Sequence, residues 1–329
     1  MSKNVLQLCP KSTCKKQDSN IGEAIEKAML AHKAAKQTDK AEYLFYDDAM
    51  KKEAQRVQLI EDKMNGALEN KEFKLYLQPQ YRISDNSIAG MEALVRWQKK
   101  DGSLICPNDF IPIFEKNGFI AKLDYYMFEQ VCRTIRRWID NEMPEIIISV
   151  NLSRVHLKNT NLVSELCAIA DRYRVPHGLL ELELTETVAA ENEPAVVVLA
   201  GQFHNAGMRL SIDDFGSGYS SLGILNYLAF DTLKLDRSFF KGLADSDRAK
   251  VIIQSIIRMA HQLNIMTIAE GIEEERQIAF LRQINCDVVQ GFYYSKPLPS
   301  DAAARLLSES VQSRGVQREK VRTGFAAEP

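Results

Sequence analysis

The chain has 329 residues, of which 45% are hydrophobic, and this length and composition are sufficient to bury a large core. Its 42 basic and 44 acidic residues leave a formal net charge of −2, which excludes the strongly positive field that polymeric nucleic acid requires. The six cysteines form no C-x-x-C pair, and there is neither a secretion signal nor an apolar run of about 20 residues. We therefore expect reduced thiols, a cytoplasmic location and no membrane span.

The N-terminal part of the chain carries no visible chemistry. Residues 1–20 are polar and aperiodic, and we expect them to be disordered. Apolar positions spaced by three and four predict helices within 21–70, with a single strand at 43–46 between them. Because two helices and one strand cannot close a core, we expect this segment to lean on the rest of the chain or to be a remnant of a larger domain.

Beyond residue 71 short apolar segments alternate with longer amphipathic ones, which predicts strands joined by helices. The eight predicted strands are 73–77, 88–95, 146–150, 180–184, 208–212, 232–235, 266–269 and 288–292. Eight such repeats have the size of a (β/α)₈ TIM-like barrel over 71–308, with the segment before it as a helical extension. A doubly wound open sheet is the alternative, and we expect a flexible tail at 309–329.

Nearly every predicted strand carries a polar residue near its carboxyl end. These residues are Gln78, Glu92, Asn151, Glu183, Asp213 with Asp214, Lys234, Glu270 and Gln290. Each has an ordinary explanation when taken singly, such as a helix cap, a turn residue or an exposed strand position. Together they favour the barrel, because barrel enzymes collect their catalytic residues at the carboxyl ends of many strands.

The stretch from 210 to 222 is the most informative of these strand ends. Asp213 and Asp214 can reach one point only if the strand ends there and the backbone turns between them. Gly216 and Gly218 permit such a turn. Two adjacent carboxylates repel unless a proton or a cation lies between them, although a solvated turn would explain an isolated pair.

The five carboxylates and one amide of this set favour a divalent metal. Oxygen ligands without histidine suit Mg²⁺ or Mn²⁺ and suit zinc poorly. The carboxylates and the amide are Glu92, Asn151, Glu183, Asp213, Asp214 and Glu270. The sequence therefore predicts a metal site at one rim of a barrel.

Several motifs occur in the order of a known family. They include Glu92-Ala-Leu94, together with the segments 76–79, 109–112, 150–153, 183–186, 213–222, 233–236, 269–273, 290–293 and 296–297. Through them residues 72 to about 300 resemble the EAL domain, a family of cyclic di-GMP phosphodiesterases. The resemblance implies a barrel whose first strand is antiparallel. Residues 21–70 more weakly resemble the end of a GGDEF domain with its connector helix.

The resemblance also implies roles for individual residues. The metal ligands would be Glu92, Asn151, Glu183 and Asp213 for one ion, and Asp213, Asp214 and Glu270 for a second. The catalytic residues would be Lys234, Glu270 and Glu186, with Glu186 fixing the loop that follows Asp214. The substrate contacts would be Gln78, Leu94 and Arg96, and, behind the metal ligands or at the guanine rim, Asp236, Glu273 and Gln290.

The implied activity is hydrolysis of cyclic di-GMP to linear pGpG with two Mg²⁺ or Mn²⁺ ions, inhibited by Ca²⁺. A homodimer through the EAL domain is implied as well. The alternatives are a non-catalytic cyclic di-GMP receptor, a barrel that acts on another phosphodiester, and a scaffold that binds partners through the helices of 21–70. The complete set of predicted ligands argues against the receptor, because such proteins usually lose some of them.

Overall fold

The computed structural model describes residues 21–36, 44–216, 230–242 and 247–310. The predicted disorder of 1–20, Gly218 and all but the first two residues of the predicted tail lie outside these ranges. The chain divides between Asn70 and Lys71 into two compact units. No helix within the described ranges is both long enough and apolar enough to cross a lipid bilayer.

The first unit contains two helices, α1 (Ile21–Ala35) and α2 (Asp48–Glu69). Asp47 caps α2, because its side chain accepts a hydrogen bond of 3.2 Å from the backbone N–H of Ala49. The strand predicted at 43–46 is wrong over 44–46, which has no regular secondary structure, and Tyr43 lies outside the described residues. A strand needs a neighbour for its backbone hydrogen bonds, and the described part of this unit provides only helices.

The second unit is a closed barrel of eight strands with two short additional strands. The barrel strands are β1 (Phe73–Arg82), β2 (Ile88–Gln98), β4 (Ile147–Asn151), β5 (Leu180–Thr185), β6 (Arg209–Phe215), β7 (Thr232–Leu235), β8 (Met266–Ala269) and β9 (Val288–Val289). The additional strands are β3 (Leu104–Ile105) and β10 (Leu298–Pro299). Strand β1 pairs with both β2 and β9, which closes the barrel and excludes the open sheet.

The direction of β1 differs from that of the other barrel strands. It runs antiparallel to β2 and β9, while the pairs from β2 through β9 are parallel, so the predicted antiparallel first strand is confirmed. The turn at 83–87 is too short for a crossover helix, and a short connection of this kind joins antiparallel strands. Asp85 stabilises this turn by accepting hydrogen bonds from the backbone and the hydroxyl of Ser87.

Helices surround the barrel and cover the outer faces of its strands. Their described ranges are α3 (Pro107–Asn117), α4 (Ile120–Asp140), α5 (Leu162–Arg172), α6 (Glu186–Glu191), α7 (Glu193–Asn205), α8 (Asp247–Gln262) and α9 (Glu275–Gln283). Residues 300–310 are also helical. In α4 the buried residues Leu123, Met127, Val131 and Ile135 recur every four positions, so one apolar face packs inward.

Three short 3₁₀ turns lie between these elements, at Arg154–Lys158, His177–Leu179 and Arg237–Phe240. The last of them follows β7 directly, and its contacts become important for the site.

An aromatic cluster fixes the register of the β1–β2 hairpin. Phe73 lies opposite Trp97, with ring centroids 5.1 Å apart, and this register places Gln78 opposite Glu92. A slip of one residue would turn Glu92 to the other face of the strand.

Candidate active site

The polar strand ends predicted from the sequence meet at one rim of the barrel. Asn151 closes β4 and is the register partner of Glu183 on β5. Glu92 lies within β2, and Glu270 directly follows β8. Because the strands from β2 to β9 are parallel, their carboxyl ends lie on the same side, and this brings the predicted metal ligands together.

Lys234 lies at the centre of this cluster. Its Nζ is 2.8 Å from Glu183 Oε2, 3.0 Å from Asp213 Oδ1 and 2.9 Å from Glu270 Oε1. Glu92 Oε2 is 3.5 Å away. The Lys234 side chain is 0% exposed, which rules out the interpretation of a surface lysine.

Two amides hold Glu92 in place. Asn151 Nδ2 donates a hydrogen bond of 3.1 Å to Glu92 Oε1, and Gln290 Nε2 donates to Glu92 Oε2. Gln290 Nε2 also lies 3.2 Å from Gln78 Oε1, so the residues after β9 and on β1 support the same carboxylate. Both oxygens of Glu92 are therefore directed before any ion binds.

The Asp213–Asp214 pair adopts a geometry that differs from the expected one. Strand β6 does not end at the pair but continues to Phe215, with a register shift against β7 between Ile212 and Phe215. Asp214 has a φ of 55°, in the left-handed region that residues with a Cβ rarely adopt. This local distortion, rather than the end of the strand, turns both carboxylates toward the same point.

The loop after Asp214 is attached to a neighbouring strand. Glu186 opens α6 and is 2% exposed, and its Oε2 accepts a hydrogen bond of 2.8 Å from the backbone N–H of Gly216. Gly216 has a φ of 94°, which glycine adopts without strain. Glu186 therefore makes the contact that its predicted role as a loop anchor requires.

Burial and mutual repulsion shift the protonation of the cluster. Burial raises the pKa of Glu270 to about 8, although Lys234 acts in the opposite direction. Burial and the charge of Asp213 raise the pKa of Asp214 to about 6. Burial lowers the pKa of Lys234, but the four carboxylates around it raise it well above its ordinary value, so the lysine stays charged. With a pKa of about 8, Glu270 is mostly protonated at neutral pH, and a divalent cation would displace that proton.

The residues present fit a pair of divalent cations. Oxygens of Asp213, Asp214 and Glu270 all lie within 4.8 Å of one another. Glu183 Oε1 and Asp213 Oδ1 are buried and accept no well-oriented hydrogen bond from the described residues, although Lys234 Nζ is close to the latter. Four carboxylates surround the ammonium group of Lys234, and Asp214 lies beside two of them, so divalent ions would displace the protons that these acids retain and would balance their charge.

Comparison with known families identifies the second unit. The profile of the EAL domain family matches residues 61–297, which is most of the chain. The chain belongs to the EAL domain family. Its name describes the segment Glu92-Ala-Leu94, whose first residue is the carboxylate that Lys234, Asn151 and Gln290 surround.

Relatives of this EAL domain include two proteins of Pseudomonas aeruginosa. MucR, a bifunctional diguanylate cyclase/cyclic di-GMP phosphodiesterase, is 36% identical over 269 residues, which are 81% of this chain and 39% of MucR. The cyclic di-GMP phosphodiesterase NbdA is 34% identical over 285 residues, which are 87% of this chain and 36% of NbdA. The chain thus spans less than half the length of either relative.

A solved structure shows the same fold. The MucR phosphodiesterase in its complex with c-di-GMP matches 74% of this chain and 99% of its own, with a TM-score of 0.71 and 33% sequence identity. This similarity agrees with the closed barrel.

The substrate contacts implied by the EAL resemblance occupy different surroundings. Gln78 and Gln290 are buried beside the cluster. Leu94 and Arg96 share the strand face of Glu92 by alternation, and the Arg96 guanidinium lies over the Tyr76 ring at 5.7 Å. Burial lowers the pKa of Arg96.

Two further implied contacts, Asp236 and Glu273, make their described hydrogen bonds outside the carboxylate cluster, although the charge of Asp236 helps to raise the pKa of Asp214. Asp236 caps the turn after β7, since its Oδ1 accepts a hydrogen bond of 2.9 Å from the backbone N–H of Ser238. Glu273 is exposed, and its backbone N–H donates to Gln277 Oε1. None of the contacts described for Asp236 or Glu273 is a hydrogen bond to the metal-ligand set. Their substrate roles stay predictions.

Sequence reasoning missed Gln80 as a supporting residue. It is buried, and its Nε2 donates a hydrogen bond of 2.9 Å to Gln290 Oε1, which orients the amide that holds Glu92. The available signal was its position two residues after Gln78, since alternation places both side chains on one face of β1. Two buried glutamines on one strand face indicate a polar network.

Proposed function

We propose that this EAL domain is a metal-dependent phosphodiesterase that hydrolyses cyclic di-GMP to linear pGpG. The observation that carries the proposal is that all six predicted oxygen ligands lie at the carboxyl rim, where four of them surround a buried lysine. The family, the names of MucR and NbdA and the c-di-GMP complex of MucR support the choice of substrate.

Each ligand has a place in this proposal. Glu92, Asn151, Glu183 and Asp213 would hold one Mg²⁺ or Mn²⁺ ion, and Asp213 would bridge to a second ion held with Asp214 and Glu270. When bound, the two ions would activate a water molecule and neutralise charge on the phosphate. The Gln290 and Asn151 amides direct Glu92, so one ligand is oriented before the ion arrives.

Lys234 supplies fixed positive charge at the place where the reaction develops negative charge. Its Nζ contacts carboxylates from several strands, so its position is set before substrate binds. A preorganised cation of this kind stabilises a phosphoryl transition state without reorganisation. Arg96, on the same face as Glu92, is suited to pairing with a second phosphate oxygen.

The decisive experiment is a time course of the purified chain with cyclic di-GMP and Mg²⁺, with chromatographic detection of pGpG. A noncyclic dinucleotide serves as the control substrate, and Asp213→Asn serves as the inactive control. Release of pGpG from the cyclic substrate alone would support the proposal. Tight binding without product would instead identify a receptor, and cleavage of the noncyclic control alone would identify a different phosphodiesterase.

Three further properties implied by the resemblance stay predictions: a homodimer through the EAL domain, a cytoplasmic location, and the GGDEF-like origin of residues 21–70. The dimer is open to a direct measurement. Light scattering of the purified chain over a range of concentrations would give its mass, and a mass of one chain at all concentrations would contradict it.

A further inference from the structure

The left-handed conformation of Asp214 lies inside a strand, where the backbone is normally extended. Aspartate tolerates a φ such as 55° better than most residues with a Cβ, and contacts from neighbouring residues can hold it there. Asp214 is one of three residues whose oxygens could share an ion, with Asp213 and Glu270. Whatever enforces its conformation therefore also sets the geometry of that ion site.

The contacts that hold this part of the backbone are made to Gly216, two residues after Asp214. Its backbone N–H donates a hydrogen bond of 2.8 Å to the carboxylate of Glu186. The ring of Phe239 also lies so close that a Cβ placed on Gly216 would overlap ring atoms Cε2 and Cζ. Gly216 thus contacts both a carboxylate from the start of α6 and an aromatic ring that follows β7.

The turn that carries Phe239 is itself well anchored. Asp236 caps it through Ser238, and the backbone N–H of Asp236 donates a hydrogen bond of 3.2 Å to the carbonyl of Phe215. At its other end, Gln277 Nε2 donates to the carbonyl of Phe240 at 3.2 Å. The ring of Phe239 is therefore presented from a fixed backbone.

The same turn also meets the loop that carries Glu270. Gly271 follows Glu270 with a φ of 62°, and a Cβ placed there would overlap the Cβ of Arg237. The 3₁₀ turn Arg237–Phe240 thus packs against the residue next to Glu270 through Arg237, and against Gly216 through Phe239. It lies between the two loops whose carboxylates would complete the second ion site.

We propose that Phe239 is a positioning residue that, together with Glu186, holds Gly216 and keeps the Asp214 carboxylate aimed at Glu270. The predicted effect of Phe239 on metal binding rests on the proposed function, whereas its predicted effect on the backbone of Gly216 does not. Phe239 acts through Gly216 and Asp214, and contact with substrate is not part of its role.

The test uses the full chain with Phe239→Leu and a matched control, Phe240→Leu, which makes the same change one residue later on the same turn. Phe240 is 2% exposed, so the control reports a simple loss of packing. The first measurement is hydrogen–deuterium exchange at the Gly216 amide in metal-free protein. We expect exchange at the Gly216 amide to be about tenfold faster in Phe239→Leu, because Asp214 can then leave its left-handed conformation and the backbone at Gly216 opens more often. Exchange should be nearly unchanged in Phe240→Leu.

The second measurement is Mn²⁺ binding followed by electron paramagnetic resonance of the free ion. Phe239→Leu should weaken the second Mn²⁺ by about tenfold and leave the first unchanged. A double variant with Glu186→Ala should exchange no faster at Gly216 than Glu186→Ala alone, because both residues act on one amide.

The outcomes separate the two proposals. Unchanged exchange at Gly216 in Phe239→Leu, or equal exchange in Phe239→Leu and Phe240→Leu, would overturn the role of Phe239. Faster exchange in a protein whose parent chain binds no Mn²⁺ would support that role and would contradict the metal-dependent function instead.

Discussion

Lys234 is the residue on which the charge balance of the site depends. It is fully buried, and four carboxylates, three from strands and one that directly follows β8, lie within 3.5 Å of its Nζ. Removing one partner of a buried ion pair leaves the others uncompensated, which costs far more than losing an exposed pair.

We therefore expect Lys234→Met to lower the free energy of unfolding of the metal-free protein by about 3 kcal/mol. Its turnover should fall by a factor of about 100 or more, because a preorganised cation is lost. Mg²⁺ should raise the melting temperature of the variant more than that of the parent chain. Calorimetry with and without Mg²⁺ checks this, and an unchanged melting temperature without metal would contradict the central role of the lysine.

Asp213 and Gln290 allow a comparison of a predicted ligand with a residue that orients one. Asp213→Asn should abolish turnover, because a bridging carboxylate would serve both ions, whereas Gln290→Ala should lower it by only about 10- to 100-fold. Gln290 contacts Glu92 and Gln78 and is not a predicted ligand. Initial rates of pGpG release measure both variants, and similar residual rates would show that Asp213 does not bridge.

The all-oxygen donor set gives an expectation for Ca²⁺. The ion binds such ligands readily but is larger and less demanding in geometry than Mg²⁺, so it should occupy the site without orienting the water for attack. We expect Ca²⁺ to inhibit turnover in the presence of Mg²⁺, with recovery at higher Mg²⁺. Rates measured over a grid of both ions provide the check, and equal turnover in Ca²⁺ alone would disprove the geometric argument.

At the level of the elements, β6 and the start of α6 work as a pair. The left-handed Asp214 follows a ladder that pairs β6 with β5, and Glu186, directly after β5, fixes Gly216. The backbone that follows the proposed ligand Asp214 is thereby joined to the start of α6.

Glu186→Ala should lower turnover and raise the Mg²⁺ concentration needed for half-maximal rate by about tenfold, since a hydrogen bond to a charged group contributes about 1.5 kcal/mol or more. Binding of cyclic di-GMP should change little, because the proposed contacts Gln78, Leu94 and Arg96 lie on β1 and β2. A metal titration of the rate and a separate binding titration test the two halves. Loss of substrate binding along with turnover would show that Glu186 is more than an anchor.

The strands and their polar ends were predictable because each signal is local. Apolar runs of four to eight residues located all eight barrel strands, and the repeated polar residue at their ends located the rim. The behaviour of β6 was not predictable, because a left-handed aspartate inside a strand is enforced by neighbours from other elements. The contact between Phe239 and Gly216 could not be predicted for the same reason, because the two residues are distant in sequence and glycine has no side chain that would indicate a partner.

The wrong strand prediction over 44–46 has a different cause. Aromatic and aliphatic residues in a short run favour a strand, yet β propensity reflects packing against neighbouring strands, and the described part of the first unit has none. The segment instead leads directly into α2, whose first turn is capped by Asp47.

For the whole molecule, the boundary between Asn70 and Lys71 leads to a truncation prediction. Removing residues 1–68 should leave a barrel that folds and hydrolyses, because β1 begins at Phe73 and every proposed ligand lies beyond it. Thermal melting and pGpG release of the truncated chain decide the matter. Failure to fold would mean that the barrel requires α2, while normal folding without activity would indicate a regulatory role for the removed segment.

The antiparallel β1 has a consequence for the route of the chain. In a barrel whose strands are all parallel, the polypeptide enters the first strand at the end opposite the catalytic rim. Here Phe73 lies beside Trp97, beyond Glu92 on β2, so the polypeptide enters at the rim itself. The five residue steps from Phe73 to Gln78 span about 17 Å of strand. The barrel therefore begins at the end where its proposed metal ligands lie, so its first strand runs away from that rim rather than toward it.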